Sequence, residues 1–354
     1  MANTVLMKGN EALAEAAIAA GCRHYFGYPI TPQTEIGAYL AKRMPQVGGV
    51  FLQAESEIAA IHMVYGASCA GKRAMTSSSS PGISLKSEGL SYLAGSDLPA
   101  LVVNVQRAGP GLGGIQPAQA DYFQATRGGG HGDFRNIVLA PASAQEMYSL
   151  TLRGFDLADR YNMTAMILAD GTIGQMMEQV TLTETAPKLV EKPWALTGTR
   201  GEREKHVITS LYLSPKELEE KNLSRFARYR LVQERETDFE AYCMEDAEIC
   251  LVAYGIAARV SRSAVDLARA NGIRAGLIRP ITLWPFPNEA LANAAGRVQH
   301  FLSVELSMGQ MMQDIELAIR CQRPVTLVSR VGGMIPAPEQ VLGVIERAAK
   351  GETI

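Results

Sequence analysis

The sequence has 354 residues, 47% of them apolar and 20% charged, with a formal net charge of −2 at pH 7. This is the composition of a globular protein with one large domain or two smaller ones. The small net charge gives no electrostatic basis for binding nucleic acid or an anionic membrane surface.

The amino terminus lacks the basic and apolar pattern of a secretion signal, and no stretch approaches the roughly 18 apolar residues of a membrane span. We therefore expect a cytoplasmic protein without a membrane span. The five cysteines are scattered and form no C-x-x-C pair. Structural zinc and iron–sulfur clusters need grouped thiolates, so we expect this chain to hold no metal.

Strand and helix patterns alternate through residues 1–185. In chain order, they predict a helix over 11–20, a strand over 24–30, a helix over 34–43, a strand over 47–54, a helix over 57–70, a strand over 73–80, a helix from about 83 to 94, a strand over 100–106, a Gly-rich loop over 109–132, a strand over 136–142, a helix over 145–161 and a strand over 164–170. This alternation predicts a parallel sheet with helices on both faces.

Residues 186–246 are polar and charge-rich, which indicates a linker followed by an exposed helical segment. A second alternation of strands and helices occupies residues 247–354 and predicts a smaller α/β domain. The predicted organisation is thus α/β, linker, α/β.

Two acids, Glu55 and Glu57, lie in a segment otherwise suited to a protein core. Burying a charged group is costly unless something pairs with it. Glu57, Ile61 and Val64 share one face of the predicted helix, whereas Glu55 belongs to the end of the preceding strand. Periodicity therefore places the two acids in different elements and leaves their roles open.

Arg107 ends an apolar strand beside the Gly-rich loop, and Thr31 follows another strand within YPITP. Ligands of parallel α/β sheets bind at the carboxyl ends of strands, where a guanidinium is suited to a carboxylate. An ordinary surface arginine and a plain proline turn are the alternatives. The run TSSSSPG at 76–82 fits either a phosphate-cradling turn or the N-cap of a helix.

The run GPGLGG at 109–114 matches the dinucleotide fingerprint, but no clear helix follows it and it is not in the first βα turn. A glycine-rich active-site loop, an NAD site and a plain connection remain open for it. His131 lies on a loop at the expected crevice edge and is a candidate for substrate contact.

Five stretches together resemble the alpha, or pyrimidine-domain, subunit of the thiamine diphosphate-dependent 2-oxoacid:ferredoxin oxidoreductases. They are YPITP, QAESEIAAIHMVYGASCAG, TSSSSPG, NVQRAGPGLG and GGGHGDFRNIVLAPAS. The resemblance covers nearly the whole chain, and it implies a thiamine-type pyrimidine domain over 1–185 and a transketolase C-terminal-like domain over 247–354. Within this family, the chain most resembles the members that act on 2-oxoisovalerate and 2-oxoglutarate.

The resemblance implies that Glu57, nine residues before Gly66, contacts N1′ of the aminopyrimidine and promotes deprotonation of the thiazolium. Glu55 would then be a capping or supporting acid. Arg107 would bind the 1-carboxylate of the substrate, and Thr31 would contact substrate or cofactor beside it. Tyr28, Pro29 and Ile30 would complete the cofactor-binding residues. The implied reaction is oxidative decarboxylation of a 2-oxoacid to an acyl-CoA and CO₂, with electrons passed to ferredoxin and coenzyme A as co-substrate.

The chain has neither the G-D-G motif nor the Asn-Asn pair with which the family binds diphosphate and Mg²⁺. The resemblance therefore implies a beta subunit that holds both, with [4Fe-4S] clusters on partner subunits of gamma or delta type. Where 2-oxoglutarate members carry Ser-Thr after the arginine, this chain has Gly111 and Leu112. That difference favours a branched-chain 2-oxoacid such as 2-oxoisovalerate, with 2-oxoglutarate next and pyruvate after it. A NAD-linked dehydrogenase and a non-catalytic structural partner are the alternative functions.

Overall fold

The computed structural model describes residues 3–183, 186–187 and 189–352. In the amino-terminal half, the elements in chain order are β1 (Asn3–Lys8), α1 (Gly9–Ala19), β2 (His24–Gly27), α2 (Thr34–Arg43), a 3₁₀ turn (Met44–Val47), β3 (Val50–Gln53), α3 (Glu57–Cys69), β4 (Ala74–Ser78), α4 (Ser80–Leu85), α5 (Ser87–Gly95), β5 (Ala100–Gln106), α6 (Tyr122–Thr126), β6 (Ile137–Leu139), α7 (Ala144–Tyr161), β7 (Thr164–Asp170), α8 (Gly171–Gln175) and β8 (Met177–Leu182).

The remaining elements are α9 (Pro215–Glu236), β9 (Phe239–Tyr242), β10 (Ile249–Val252), α10 (Gly255–Ala270), β11 (Ala275–Pro280), β12 (Thr282–Trp284), α11 (Asn288–Ala295), β13 (His300–Glu305), α12 (Gln310–Ala318), β14 (Val325–Ser329) and α13 (Pro338–Ala349).

The larger sheet has seven strands in the order β12-β6-β7-β5-β4-β2-β3, all parallel except β12. Strands β4, β5 and β7 are buried along their whole length, as expected for a parallel sheet covered by helices on both faces. Parallel pairing brings the carboxyl ends of β2, β4 and β5 to one edge. The segments after these strands therefore meet there.

The smaller sheet has five strands in the order β14-β13-β10-β11-β9, with β9 antiparallel at one edge. The predicted fold class, two α/β units with parallel sheets, is confirmed. The domain limits at residues 185 and 246 stay a prediction. Two short strands cross those limits, because β9 joins the smaller sheet and β12 pairs with β6 of the larger one.

Buried hydrogen bonds join the elements around the larger sheet to helix α10, which packs on the smaller sheet. Asp170, at the end of β7, accepts hydrogen bonds from Thr172 N and Ile173 N of α8 and from Ile256 N of α10. Burial raises the pKa of Asp170, and these backbone donors oppose the rise. Gln119 donates to Tyr254 O and so ties the Gly-rich loop to the carboxy-terminal half.

The structure corrects several predicted elements. The helix expected from about 83 to 94 is two helices, α4 and α5, which meet at Lys86. The loop predicted over 109–132 contains the short helix α6. Strands β1 and β8 form a separate antiparallel pair that the sequence patterns did not predict. Among the described residues, no helix combines the length and apolar character needed to cross a lipid bilayer.

Candidate active site

Glu57 is the first residue of α3. Ser56 is the N-cap, and its side chain accepts a hydrogen bond from Ala59 N. The expectation that Glu55 caps the helix is therefore wrong: Glu55 is exposed, and the serine hydroxyl satisfies the helix terminus instead. Glu57 is only 6% exposed. Its carboxylate lies at the amino end of α3, where the helix dipole favours a negative charge.

The Glu57 carboxylate faces the turn between β4 and α4. A Cβ added to Gly82 would lie 2.7 Å from Glu57 Oε1 and 2.1 Å from Ser78 Oγ. Only glycine leaves room for this approach. Within the described part of the chain, no side-chain hydrogen bond to the Glu57 carboxylate is found, and its oxygens are not among the fully buried atoms without a partner. The carboxylate can therefore accept a hydrogen bond from a ligand.

Lys86 lies beneath the same helix start and is completely buried. Its ammonium donates a hydrogen bond to the backbone carbonyl of Glu57, with Nζ and O 3.2 Å apart. Desolvation lowers the pKa of Lys86 to about 8, while the negative charge of Glu57 acts in the opposite direction. Glu57 and Lys86 are thus two buried, oppositely charged residues joined through a main-chain contact.

Arg107 follows β5 at the carboxyl edge of the large sheet and is 7% exposed. Its Nη1 donates to Thr31 O and its Nη2 to Leu112 O, each at 3.1 Å. The structure therefore brings three predicted residues together, two of them through backbone carbonyls. Arg107 Nε is buried without a hydrogen-bond partner in the described structure, so the guanidinium retains a donor for a ligand.

A buried polar network holds the backbone of Arg107. Ser80 Oγ donates to Asp121 Oδ2 at 2.6 Å and accepts from Arg107 N at 3.0 Å. Asn104 Nδ2 also donates to Asp121 Oδ2, at 2.9 Å. Burial raises the pKa of Asp121, and the hydrogen bonds from Ser80 and Asn104 oppose this rise. The segment from Ser78, at the end of β4, to Gly82, in the first turn of α4, therefore borders Glu57 on one side and anchors Arg107 on the other.

The serine run does not behave as a simple N-cap. Ser79 is in the N-cap position of α4, but its side chain makes no capping bond, and Asn104 Oδ1 accepts from Ser80 N instead. The hydroxyls of Ser78 and Ser79 are buried without a hydrogen-bond partner among the described residues. These unsatisfied hydroxyls lie in the turn that separates Glu57 from Arg107.

The other predicted residues show no hydrogen bond to Glu57 or Arg107 in the described part of the chain. Tyr28 and Pro29 are exposed after β2 and line a cleft with Phe51 of β3. Ile30 is half-buried, and its backbone carbonyl accepts a hydrogen bond from Gln33 N.

Gly111 is exposed in the Gly-rich loop and has a φ of +70°. His131 is exposed and contacts α5: its backbone N–H donates to Ser91 Oγ, and its imidazole ring packs edge-on against the ring of Tyr92. The ring of His131 thus contacts α5 rather than Thr31 or Arg107, and its contact with substrate stays a prediction.

The dinucleotide reading of GPGLGG lacks its helix. The loop runs on to Asp121, and the helix that follows, α6, has five residues. Among the described residues, no group of three His, Cys, Asp or Glu side chains is arranged to hold a metal ion.

Sequence reasoning missed Lys86, Ser80, Asn104 and Asp121. Two of them carried a readable signal. Asn104 interrupts an apolar strand, and Lys86 is a charged residue within a run of small and apolar ones. The partners of Ser80 and Asp121 are far away in sequence, so their pairing is visible only in the fold.

Comparison with known proteins identifies the class. The family model described as the thiamine diphosphate-binding region of pyruvate flavodoxin/ferredoxin oxidoreductases matches residues 15–238. The model for core domain II of pyruvate:ferredoxin oxidoreductase matches residues 247–341. The chain belongs to the 2-oxoacid:ferredoxin oxidoreductase family, whose members act as complexes of subunits, and the resemblance seen in its motifs is confirmed.

Individual relatives narrow the comparison. The chain is 52% identical over 347 residues to ketoisovalerate oxidoreductase subunit VorB of Methanothermobacter marburgensis, covering 98% of each. It is 35% identical over 377 residues to 2-oxoglutarate synthase subunit KorA of Methanothermobacter thermautotrophicus, covering 98% of this chain and 99% of KorA.

Among solved structures, the chain is similar to 2-oxoglutarate:ferredoxin oxidoreductase from Magnetococcus marinus, whose structure contains 2-oxoglutarate, coenzyme A and succinyl-CoA. The TM-score is 0.88 at 29% identity, and the match covers 98% of this chain and 66% of that one.

Proposed function

We propose that this chain supplies the pyrimidine-binding half of a thiamine diphosphate site in an oxidoreductase that acts on a branched-chain 2-oxoacid. The observation that carries the proposal is Glu57, a residue only 6% exposed whose carboxylate has no side-chain donor among the described residues and faces the gap kept open by Gly82. Burying such a group is costly unless a ligand completes its hydrogen bonds.

The residues at this edge fit an aminopyrimidine ring. Glu57 offers an acceptor for a protonated ring nitrogen, and the unsatisfied hydroxyls of Ser78 and Ser79 offer further polar contacts. When bound, thiamine diphosphate supplies a carbanion-forming centre and an electron sink for decarboxylation. Glu57 would hold the ring nitrogen by a hydrogen bond to its carboxylate and would thereby control the proton at that position.

Arg107 is suited to the carboxylate of the 2-oxoacid. Its guanidinium is fixed by Thr31 O and Leu112 O, and its Nε has no hydrogen-bond partner among the described residues. A guanidinium immobilised in this way loses little conformational entropy when it binds an anion. Thr31 contributes its carbonyl to that orientation and stays a candidate for direct contact with substrate or cofactor.

The side chain of Leu112 supports the choice of substrate. It is 82% exposed beside the arginine and offers an apolar surface rather than a second carboxylate-binding group. The relative at 52% identity is named a ketoisovalerate oxidoreductase subunit, which agrees with a branched-chain substrate. 2-Oxoglutarate is the second candidate, because the relative at 35% identity is named for it.

The diphosphate and Mg²⁺ are assigned to a beta subunit, since this chain contains neither G-D-G nor Asn-Asn. Coenzyme A is the co-substrate. The [4Fe-4S] clusters are assigned to gamma- or delta-type partners, with ferredoxin as acceptor. A cytoplasmic location stays a prediction of the sequence.

The test is Glu57→Gln in the complete assembly. Activity is measured as CO₂ release with 2-oxoisovalerate, coenzyme A and a viologen acceptor. Loss of a positioned acid–base group lowers rates by about 10²- to 10⁴-fold, and we expect a fall in this range. Glu55→Gln is the matched control, because Glu55 is two residues away and exposed. We expect this control to keep activity within about twofold.

A Glu57→Gln enzyme with near wild-type activity would show that the site is wrongly assigned. The substrate is tested separately through kcat/KM for 2-oxoisovalerate, 2-oxoglutarate and pyruvate. A clear preference for 2-oxoglutarate would contradict the branched-chain assignment and leave the role of Glu57 intact.

A further inference from the structure

The YPITP loop (residues 28–32) is held by two side-chain amides to which the proposed reaction gives no role. One belongs to Asn10, near the start of α1, and the other to Gln33, which directly follows the loop. Both residues are buried. Burying an amide is unfavourable unless its polar atoms find hydrogen-bond partners, so the partners show what each amide holds.

Asn10 holds the carboxyl end of the loop. Its Nδ2 donates to Pro32 O at 2.9 Å and to Glu35 Oε2, on α2, at 3.0 Å. Its Oδ1 is buried without a hydrogen-bond partner in the part of the chain that the structure describes. A buried acceptor without a partner is unfavourable, so this amide serves the structure through its two N–H donors.

The proline ring connects this hydrogen bond to the Thr31 carbonyl. The ring fixes φ of Pro32, so the carbonyl carbon of Pro32 and the Thr31–Pro32 peptide group move as one unit. Only rotation about the Cα–C bond of Pro32 then remains between the Asn10 amide and Thr31 O. Thr31 O accepts the hydrogen bond from Arg107 Nη1 at 3.1 Å. Asn10 therefore helps to place the acceptor that orients the Arg107 guanidinium.

Gln33 holds the other end of the loop. It is the N-cap residue of α2, but its side chain does not cap that helix. Instead, Nε2 donates to Tyr28 O at 3.4 Å, and the backbone N–H of Gln33 donates to Ile30 O at 3.2 Å. Its Oε1 accepts from Ser77 Oγ at 2.6 Å, and Ser77 Oγ also shares a hydrogen bond with Tyr25 OH at 2.8 Å. These buried contacts tie the loop to β2 and β4 of the larger sheet.

We propose that Asn10 and Gln33 are positioning residues: their amides hold the YPITP loop at both ends, so that Thr31 O fixes the Arg107 guanidinium where it receives the substrate carboxylate. This inference rests on the proposed role of Arg107. It predicts that the two amides affect substrate binding only through Arg107. An amide that merely stabilised the fold would act independently of this arginine.

The experiment replaces each amide by an apolar side chain of similar shape, Asn10→Leu and Gln33→Met, in the complete assembly. KM and kcat for 2-oxoisovalerate are measured for each variant in the wild-type and in the Arg107→Lys background. Lysine keeps the positive charge but lacks the forked donor group that spans Thr31 O and Leu112 O. Hydrogen–deuterium exchange of the backbone over residues 25–36 reports the loop directly.

Both amide variants should impair substrate binding in the wild-type background. A misplacement of about 1 Å can cost about 10²-fold, so we expect kcat/KM to fall about 10- to 100-fold, mainly through KM. We also expect faster exchange over residues 25–36. In the Arg107→Lys background, the further change in kcat/KM should stay within about twofold, because the group that the loop positions has been removed.

Thr282→Val is the matched control. Thr282 is also fully buried, and valine removes its two hydrogen bonds with the backbone of Asp238. Thr282 belongs to β12, which is the edge strand of the larger sheet opposite β3. This control should change neither KM nor exchange over residues 25–36.

An unchanged KM in both amide variants would overturn the inference, as would a raised KM with wild-type exchange in the loop. Equal effects in the wild-type and Arg107→Lys backgrounds would also overturn it, because the amides would then act independently of Arg107. If one variant fails to assemble, the other decides by the same comparison. Arg107→Lys tests the proposed function separately: a wild-type KM in this variant would contradict the role of Arg107 itself.

Discussion

Replacing Lys86 with methionine should make the isolated chain more stable at neutral pH. The pKa of Lys86 falls from its ordinary 10.5 to about 8 in the folded protein, chiefly through desolvation. At 1.36 kcal/mol per pKa unit, this corresponds to about 3 kcal/mol of lost stability while the lysine is charged. The hydrogen bond to Glu57 O offsets about 1 kcal/mol, so we expect a net gain of about 2 kcal/mol in the free energy of unfolding.

The gain has a defined pH dependence. Below about pH 8, Lys86 is protonated in both the folded and the unfolded chain, and the full penalty is present. Between about 8 and 10.5, only the unfolded chain holds the proton, so wild-type stability rises with pH and the difference from Lys86→Met shrinks. Urea unfolding of both proteins at pH 7 and pH 10 measures this change.

Lys192→Met should show the opposite sign at pH 7, because it removes one of the two cations, Lys192 and Arg73, that pair with the buried Asp159. The reasoning is refuted if Lys86→Met is less stable than wild type at pH 7. It is also refuted if the difference between the two proteins is the same at pH 7 and pH 10.

Two further predictions concern the first turn of α4. Gly82→Ala should lower kcat at least tenfold in the assembly, because the added Cβ would displace the Glu57 carboxylate. Gly343→Ala on α13 is the control: a Cβ there meets no atom within 4 Å and should leave kcat unchanged. Equal kcat values for the two alanine variants would contradict the role of Gly82. Ser80→Ala should raise KM for the 2-oxoacid more than it lowers kcat, because Arg107 N loses its acceptor, and should cost about 1.5–3 kcal/mol in urea unfolding. An unchanged KM would show that Ser80 does not position Arg107.

Local patterns were sufficient for the elements with clear periodicity and clear ends. The predicted helix over 34–43 and the strand over 164–170 have the observed limits. Patterns failed where tertiary contacts decide the structure. The three residues of β12 have too short a pattern to read, and they form a strand only because β6 offers an edge. The break at Lys86 was missed for the same reason, since it depends on a contact with α3.

The site was predictable to the extent that its residues follow strands or begin a helix. The role of Glu57 follows from the family resemblance, with which helical periodicity agrees, and Arg107 and Thr31 are candidates by the rule that ligands lie at the carboxyl ends of parallel strands. Their mutual contact runs through the carbonyl of Thr31, which no side-chain pattern encodes. Asp121 accepts a hydrogen bond from Ser80 because the chain comes back to α4 after the Gly-rich loop. This path is visible only in the folded structure.

Because β9 pairs with β11 and β12 pairs with β6, each sheet needs a strand from a segment outside its own predicted domain. The chain leaves the larger sheet, forms β9 to β11 in the smaller one, comes back to add β12 beside β6, and then returns for β13 and β14. A fragment ending at residue 246 would carry β9 without its sheet and leave β6 with an open edge, a form of backbone that invites aggregation. A chimera that replaces one half must therefore supply strands that pair with both β11 and β6.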